Sequence, residues 1–217
     1  MSLPNINSYT YSPGFGIGKY HNAVLCISGN IQSLYLNGTL IATQTAESNI
    51  LTSYSTINEI VMGCAGDRSC GFSGYLDDFR MYNSALSTKQ ISNLYINRNI
   101  ITHYPFNTSQ NRLTANYATL TYDAKFVGNS IIDKSSENKN IGSGVLSVNN
   151  TSVVASYLIS TPEFTLSYTS GLSISLWFKT KGVSTNIMRL FDLCTEIGIQ
   201  GISVDISGTN NIIASYK

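Results

Sequence analysis

The chain has 217 residues, of which 42% are apolar and 12% are charged, and its formal net charge is +1. An ordinary soluble domain has about 25% charged residues, so short neutral side chains do much of the solvation here, as is common in extracellular, virion-surface or cell-surface β modules. Lys and Arg form no run, which argues against nucleic acid and acidic membrane surfaces as partners. No apolar stretch approaches the ~18 residues of a membrane-spanning helix, so membrane insertion is not expected.

The first part of the chain has the alternating pattern of an antiparallel meander. Asn37-Gly38 stands between two apolar stretches, and this pair is the strongest short signal for a hairpin because both residues tolerate positive φ. The pattern predicts strands at Asn22–Ile27, Ser33–Leu36, Thr39–Thr45, Ile57–Gly63 and Phe72–Tyr82.

One short helix is predicted after these strands, over Thr88–Tyr95. Ser87 is a favourable N-cap residue, and Gln90 follows three positions later, which is the spacing of a capping box. Leu86, just before the cap, is placed to pack against Ile91.

The second part of the chain returns to strands. In Leu172–Lys179 the four apolar residues Leu172, Ile174, Leu176 and Phe178 share one face, and Trp177 lies on the other. Further strands are predicted at Ile101–Phe106, in a broken stretch from Leu113 to Phe126, and at Gly144–Val148, Val153–Ile159, Ile187–Cys194, Gly201–Ser207 and Ile212–Tyr216. Many short strands with almost no helix indicate an all-β sandwich or barrel.

Several stretches resemble the laminin G-like jelly roll of the concanavalin A-like lectin/glucanase superfamily. The most specific is FSGYLDDFRMYNSALSTKQISNLY at 72–95, followed by KYHNAVLCISGNIQSLYLNGTLIAT at 19–43. GSGVLSVNN, GLSISLWFKT and LFDL resemble the opening half of the same domain. The sequence departs from the family at Tyr20, where a Trp is usual. The resemblance implies a two-sheet antiparallel jelly roll.

The resemblance also implies a function, which is that of a non-catalytic carbohydrate-binding or adhesion module. The alternative is a structural or protein-interaction module of a larger surface or virion protein. The expected partner is therefore a glycan or a protein surface.

The two halves of the resemblance stand in reversed order. Residues 1–98 resemble the C-terminal half of a laminin G-like domain, and residues 101–217 resemble the N-terminal half. Three arrangements would each give this reversed order: a circularly permuted domain, a piece of a tandem array, and a fragment truncated at both ends. We expect the halves to complete one sandwich within a monomer, with a domain-swapped dimer as the alternative.

The pair Asp77-Asp78 is a candidate metal site. If Tyr75, Phe79 and Met81 point inward, alternation turns Asp77 inward and Asp78 outward. The resemblance implies calcium near this strand, although calcium takes six to eight oxygens and no D-x-D-x-D loop supplies them. The alternative is that Asp77 accepts N–H bonds from a loop.

Two further positions are candidate ligand contacts. Trp177, the only tryptophan, could stack on a sugar ring, and the alternative is burial in a central strand. Asp67 and Arg68 stand at the tip of the loop GCAGDRSCG, where jelly rolls often bind ligands, and the alternative is an ordinary surface loop.

The four cysteines indicate no zinc site, because no CxxC spacing is present. Cys26 and Cys194 lie in strand patterns and are predicted to be buried thiols. Cys64 and Cys70 bracket a short loop, and a disulfide between them is an open alternative to free thiols.

Catalysis is not expected. The glucanases of this superfamily carry Glu-x-Asp-x-x-Glu on one strand, and none of the five glutamates here has an Asp two residues later. Asp192 and Glu196 could share a face, but a turn is predicted after Cys194. His21 and His103 are predicted to pack within strands.

We therefore expect the purified chain to hydrolyse no β-glucan. Release of reducing sugars from a panel of β-glucans measures this. Turnover that disappears in the Asp192→Asn or Glu196→Gln variant would overturn the assignment.

Overall fold

The structure is a computed structural model. It describes residues 7–11, 16–52, 56–93, 100–107, 109, 112–114, 123–138, 140–150, 156–160, 164–165, 171–182, 186–194, 201–207 and 211–216.

The described residues form eighteen β-strands, one α-helix and one 3₁₀ turn. The strands are β1 (Asn7–Tyr11), β2 (His21–Ser28), β3 (Ile31–Leu36), β4 (Thr39–Thr45), β5 (Thr56–Ile57), β6 (Glu59–Met62), β7 (Ser73–Tyr82), β8 (Ile100–Tyr104), β9 (Leu113–Thr114), β10 (Ala124–Val127), β11 (Ile131–Asp133), β12 (Val145–Asn149), β13 (Tyr157–Ser160), β14 (Phe164–Thr165), β15 (Leu172–Thr180), β16 (Met188–Cys194), β17 (Ile202–Ile206) and β18 (Ile212–Tyr216). The helix α1 spans Thr88–Asn93, and the 3₁₀ turn spans Ile50–Thr52.

Sixteen of these strands build two large sheets, and β5 pairs with β14 in a separate two-stranded sheet. Sheet A has the spatial order β1-β18-β17-β16-β6-β13-β10-β9, and sheet B has the order β11-β12-β7-β15-β2-β3-β4, with β8 also paired to β7. Every strand pair in both sheets is antiparallel. The predicted two-sheet antiparallel sandwich is therefore confirmed.

Both sheets combine strands from the first half of the chain with strands from the second half. In sheet B, β15 lies between β7 and β2 and pairs with both. In sheet A, β6 lies between β16 and β13. Strands before residue 98 thus pair directly with strands after residue 101, while the permuted order of the halves stays a prediction.

The core lies between the sheets. Leu172, Ile174, Leu176 and Phe178 of β15 are all at most 1% exposed, as the alternation predicts. Contact between the sheets includes an edge-to-face pair of Phe79 and Phe191, whose ring centroids are 5.8 Å apart. Burial of one apolar face per sheet is the main source of stability in such a sandwich.

Two local predictions are confirmed in detail. Asn37 and Gly38 have φ of 51° and 80°, as a type I′ hairpin turn requires. At α1, the Gln90 carboxamide accepts the Ser87 N–H at 2.8 Å, and the Ser87 hydroxyl accepts the Gln90 N–H at 3.3 Å. This is the predicted capping box. No helix in the described part of the chain is long and apolar enough to span a membrane.

Candidate functional site on the outer face of sheet B

Trp177 lies on the outer face of sheet B, which is the face turned away from sheet A. Its neighbours in the ladder are Asn22 on β2 and Asp77 on β7. The side chain is half-buried, whereas the apolar residues on either side of it in β15 are fully buried in the core. The predicted orientation of Trp177 is confirmed, and part of the indole is open to solvent.

Two tyrosines and two lysines surround this end of β15. The Lys179 ammonium lies 5.7 Å from the ring centroid of Tyr20 and 5.5 Å from that of Tyr75. Lys181 lies 4.7 Å from the Tyr75 centroid. At these distances the cations are attracted to the ring faces, which fixes the tyrosines beside the sheet. We call Tyr20, Tyr75, Trp177, Lys179 and Lys181 the Trp177 surface.

The loop after β11 borders the Trp177 surface. The Tyr20 hydroxyl donates to the carbonyl of Asn138, and Lys179 Nζ donates to the carbonyl of Glu137 at 3.2 Å. The loop is closed internally by Asp133, which accepts the Ser135 N–H at 2.8 Å. The surface therefore has one wall of polar backbone and side-chain groups.

The adjoining loop brings carboxylates to the Trp177 surface. Burial raises the pKa of the Tyr75 hydroxyl, and the charges of Asp133 and Glu137 add to the rise. Lys181 lies near Asp133, whose pKa is lowered by the Ser135 N–H first and by Lys181 in a smaller part. The adjoining loop thus brings carboxylates as well as ammonium groups to this surface, so it is not a purely basic patch.

The orientation predicted for β7 is wrong at Tyr75 and Asp77. The chain contains a β-bulge there, because Ser175 pairs with Arg80 and Trp177 with Asp77, which leaves two residues opposite Leu176. Asp78 has φ of 51°, and it is the residue at which alternation changes phase. As a result Tyr75 and Asp77 lie on the outer face.

Asp77 is nevertheless completely buried, because the loop over 140–141 covers it. Its Oδ2 accepts the Ile141 N–H at 2.8 Å, while Oδ1 is buried and has no hydrogen-bond partner among the described residues. This is the loop contact that the sequence left as the alternative to a metal. Burial raises the pKa of Asp77 to about 7, the charge of Asp78 adds to the rise, and the N–H bond from Ile141 opposes it.

Asp78 is held by two other side chains. Its Oδ1 accepts from Arg80 Nε at 3.0 Å and from His103 Nε2 at 2.8 Å, and its Oδ2 lies 3.0 Å from Arg80 Nη2. The carboxylates of Asp77 and Asp78 therefore do not converge on one cation. Among the described residues, no three His, Cys, Asp or Glu side chains are grouped to hold a metal ion. Calcium at this pair stays a prediction.

The loop with Asp67 and Arg68 lies over the outer face of sheet A. Arg68 Nη2 donates to Glu59 Oε1 at 2.7 Å, and its guanidinium lies 4.9 Å from the ring centroid of Tyr157. Asp67 Oδ1 accepts the Ser69 N–H at 2.9 Å. Both candidate residues therefore hold the loop itself in place.

A buried charged cluster anchors this loop from below. Arg189 donates to Asp205 through Nε at 2.6 Å and Nη2 at 2.9 Å, and to Asp192 through Nη1 at 2.9 Å. Asp192 also accepts the N–H groups of Gly66 at 2.9 Å and Gly201 at 3.0 Å. This bonding leaves Asp192 no access to a substrate, and Glu196 lies outside the described residues.

The candidate residues thus fall on opposite faces of the sandwich. Trp177 and Asp77 are neighbours in one ladder of sheet B, whereas Asp67 and Arg68 lie over sheet A. A single small ligand cannot contact both groups. The sequence indicated each residue, but it contained no signal for their separation or for the tyrosines and lysines around Trp177.

The two histidines have structural contacts. His21 Nε2 lies 3.1 Å from the carbonyl of Gly16, and its Nδ1 lies 3.2 Å from the Asn37 side-chain nitrogen. The His21 ring also packs 5.7 Å from that of Phe178. These contacts confirm the predicted packing of His21, while His103 has its ion pair with Asp78.

The fold is a two-sheet antiparallel β-sandwich, consistent with a concanavalin A-like jelly roll, with a half-open aromatic surface on the outer face of sheet B. Residues 6–92 match the laminin G-like family model of the concanavalin A-like lectin/glucanases superfamily. A search of curated proteins finds no match to the chain. Domains of the laminin G-like kind are typically non-catalytic modules that bind glycans or proteins, although the superfamily includes glycosidases.

The raised pKa of Asp77 predicts a dependence of stability on pH. An unfolded Asp ionises near pH 4, whereas folded Asp77 keeps its proton up to about pH 7. The unfolded state therefore binds fewer protons in this window, and Asp77 makes the fold less stable as pH rises from about 4 to 7. Asp77→Asn removes this pH-dependent loss of stability. The melting temperature of the variant, relative to that of the unmodified chain, should therefore be higher at pH 8 than at pH 5.

Asp133→Asn is the matched control, because the pKa of Asp133 is lowered. The difference in melting temperature between Asp133→Asn and the unmodified chain should be constant between pH 5 and pH 8. It should disappear only as pH falls into the acid range. The same melting-temperature difference for Asp77→Asn at both pH values would contradict the prediction.

Proposed function

We propose that the chain is a non-catalytic carbohydrate-binding module that holds a neutral glycan on the Trp177 surface. The observation that carries the proposal is the position of Trp177, which stands on the outer face of a central strand and is only half-buried. An aromatic face that is fixed in a sheet and open to solvent suits stacking on the apolar face of a sugar ring.

Polar groups around the indole can form hydrogen bonds with the hydroxyl groups of a sugar. The lysine ammonium groups can donate to hydroxyls, and the adjoining loop offers carbonyl and carboxylate acceptors. A few fixed polar groups around an aromatic centre are typical of small-ligand sites. Because the carboxylates of Asp133 and Glu137 belong to the loop beside Lys179 and Lys181, a neutral glycan fits this surface better than a strongly anionic one.

A protein-interaction module is the second candidate, and a different surface supports it. Leu40 is 50% exposed and Ile31 is 43% exposed, on the neighbouring strands β4 and β3 at the edge of sheet B. β4 has no charged residue, and a neutral edge strand is open to pairing with another chain. This surface is separate from the Trp177 surface in sequence and in the sheet order.

A glycan array on the purified chain, followed by titration of the glycans it retains, tests the proposal. Because Trp177 is the only tryptophan, its intrinsic fluorescence reports directly on a ligand that stacks there. We expect saturable fluorescence changes, and a loss of affinity of about tenfold or more in Trp177→Ala, equivalent to about 1.4 kcal/mol. Trp177→Phe should retain part of the affinity.

Leu40→Ala is the matched control for an exposed apolar side chain, and Tyr157→Ala is the control for the opposite face. Both should bind as the unmodified chain does. Running the array with calcium and with a chelator shows whether a cation contributes. The proposal would be contradicted if the folded chain bound no glycan, or if Trp177→Ala bound with unchanged affinity. Either result would favour the protein-interaction hypothesis.

A further inference from the structure

The loop between β6 and β7 places two cysteines across from each other. Its two arms are joined by backbone hydrogen bonds from Ala65 N–H to the Ser69 carbonyl at 2.9 Å and from Phe72 N–H to the Gly63 carbonyl at 2.7 Å. Cys64 lies between these bonds on one arm, and Cys70 and Gly71 lie between them on the other.

This arrangement is a β-bulge, in which two residues of one arm face one residue of the other. Cys70 has φ of 53°, as the first residue of a glycine-type bulge does. Residues that face each other in antiparallel arms have Cα atoms about 4.5–5.5 Å apart, and disulfides bridge Cα separations of about 4.4–6.8 Å. The two hydrogen bonds therefore hold Cys64 opposite the Cys70-Gly71 bulge, on arms whose regular Cα spacing overlaps the range that a disulfide bridges.

The two thiols differ in access. Cys64 is completely buried, whereas Cys70 is half-buried and its sulfur accepts from the Ser69 hydroxyl at 3.5 Å. Cys26 and Cys194 are buried within β2 and β16. An external oxidant therefore reaches Cys70 before the other three thiols.

All four cysteines are free thiols in this structure. We propose that oxidation joins Cys64 and Cys70 in a disulfide that staples the loop carrying Asp67 and Arg68. The oxidant is a small disulfide of the glutathione class. The Cys70 thiolate attacks it and releases one glutathione, leaving a mixed disulfide at Cys70.

The Cys64 sulfur then attacks the Cys70 sulfur and releases the second glutathione. In total, two protein S–H groups are oxidised, two protons are transferred to the departing thiolates, and one glutathione disulfide is reduced to two thiols. Burial raises the pKa of Cys64 to about 12, so the second step accelerates with pH.

The staple acts on a loop that covers the outer face of sheet A. Arg68 and Gly66 already bind Glu59 and Asp192 from this loop. A covalent link at its base constrains the unfolded chain and keeps both contacts in place, so we expect the melting temperature to rise by about 5 °C on oxidation.

Digestion of the folded chain after incubation in glutathione redox buffers tests the proposal. Free thiols are first blocked with N-ethylmaleimide, and trypsin is combined with a glutamyl endopeptidase. The four cysteines then fall on separate peptides, at 20–47, 60–68, 69–80 and 190–196. We expect peptide 60–68 to be joined to 69–80, with an intact mass lower by about 2 Da as two thiols become one disulfide.

Variants separate the staple from a general effect of thiol loss. Cys70→Ser should abolish both the linkage and the rise in melting temperature, and it is nearly isosteric at a half-buried position. Cys26→Ser and Cys194→Ser should keep both. A link from 60–68 to 190–196, or a folded chain that only gains glutathione on 69–80, would overturn the proposal.

Discussion

The placement of β15 between β7 and β2 is the constraint on which the rest of the structure depends. β15 supplies four core side chains to one face and pairs along its length with β7, about 100 residues earlier in the chain, and with β2, about 150 residues earlier. Without it, sheet B would consist of two separate groups of strands with unpaired edges. Its register also decides function, because it sets Trp177 beside Asp77 and directs the indole away from the core.

Buried carboxylates hold a loop over each outer face. Asp77 binds the loop at Ile141 beside the Trp177 surface, and Asp192 binds Gly66 on the opposite face. Burial raises the pKa of both side chains. Arg189 is a cationic partner of Asp192 and opposes the rise in its pKa, whereas no cation among the described residues pairs with Asp77. A buried acid without a cationic partner is costly to ionise, so the raised pKa of Asp77 is opposed by N–H donors alone.

Local chemistry explains which features the sequence could predict. Asn37-Gly38 and Ser87 with Gln90 act through their own backbone, and the alternation in Leu172–Lys179 needs no knowledge of the partner strands. The bulge at Asp78 could not be predicted in this way, because positive φ at an Asp depends on contacts with Arg80 and His103. The cluster around Arg189 likewise depends on which residues of neighbouring strands face each other, and no sequence motif encodes this. The tyrosines of the Trp177 surface could not be predicted for the same reason, since Tyr20 and Tyr75 are 55 residues apart.

Native-state hydrogen exchange on the Leu176→Ala variant tests most directly whether β15 joins the two ends of the chain into one cooperative sandwich. Leu176 is 1% exposed, and removing its side chain should lower stability by about 2–5 kcal/mol. If β15 unites the sheets, the slowest amides of β2, β7 and β16 should all lose the same amount of protection. Unchanged protection in β2, β3 and β4, with loss confined to β15 and β16, would contradict the account.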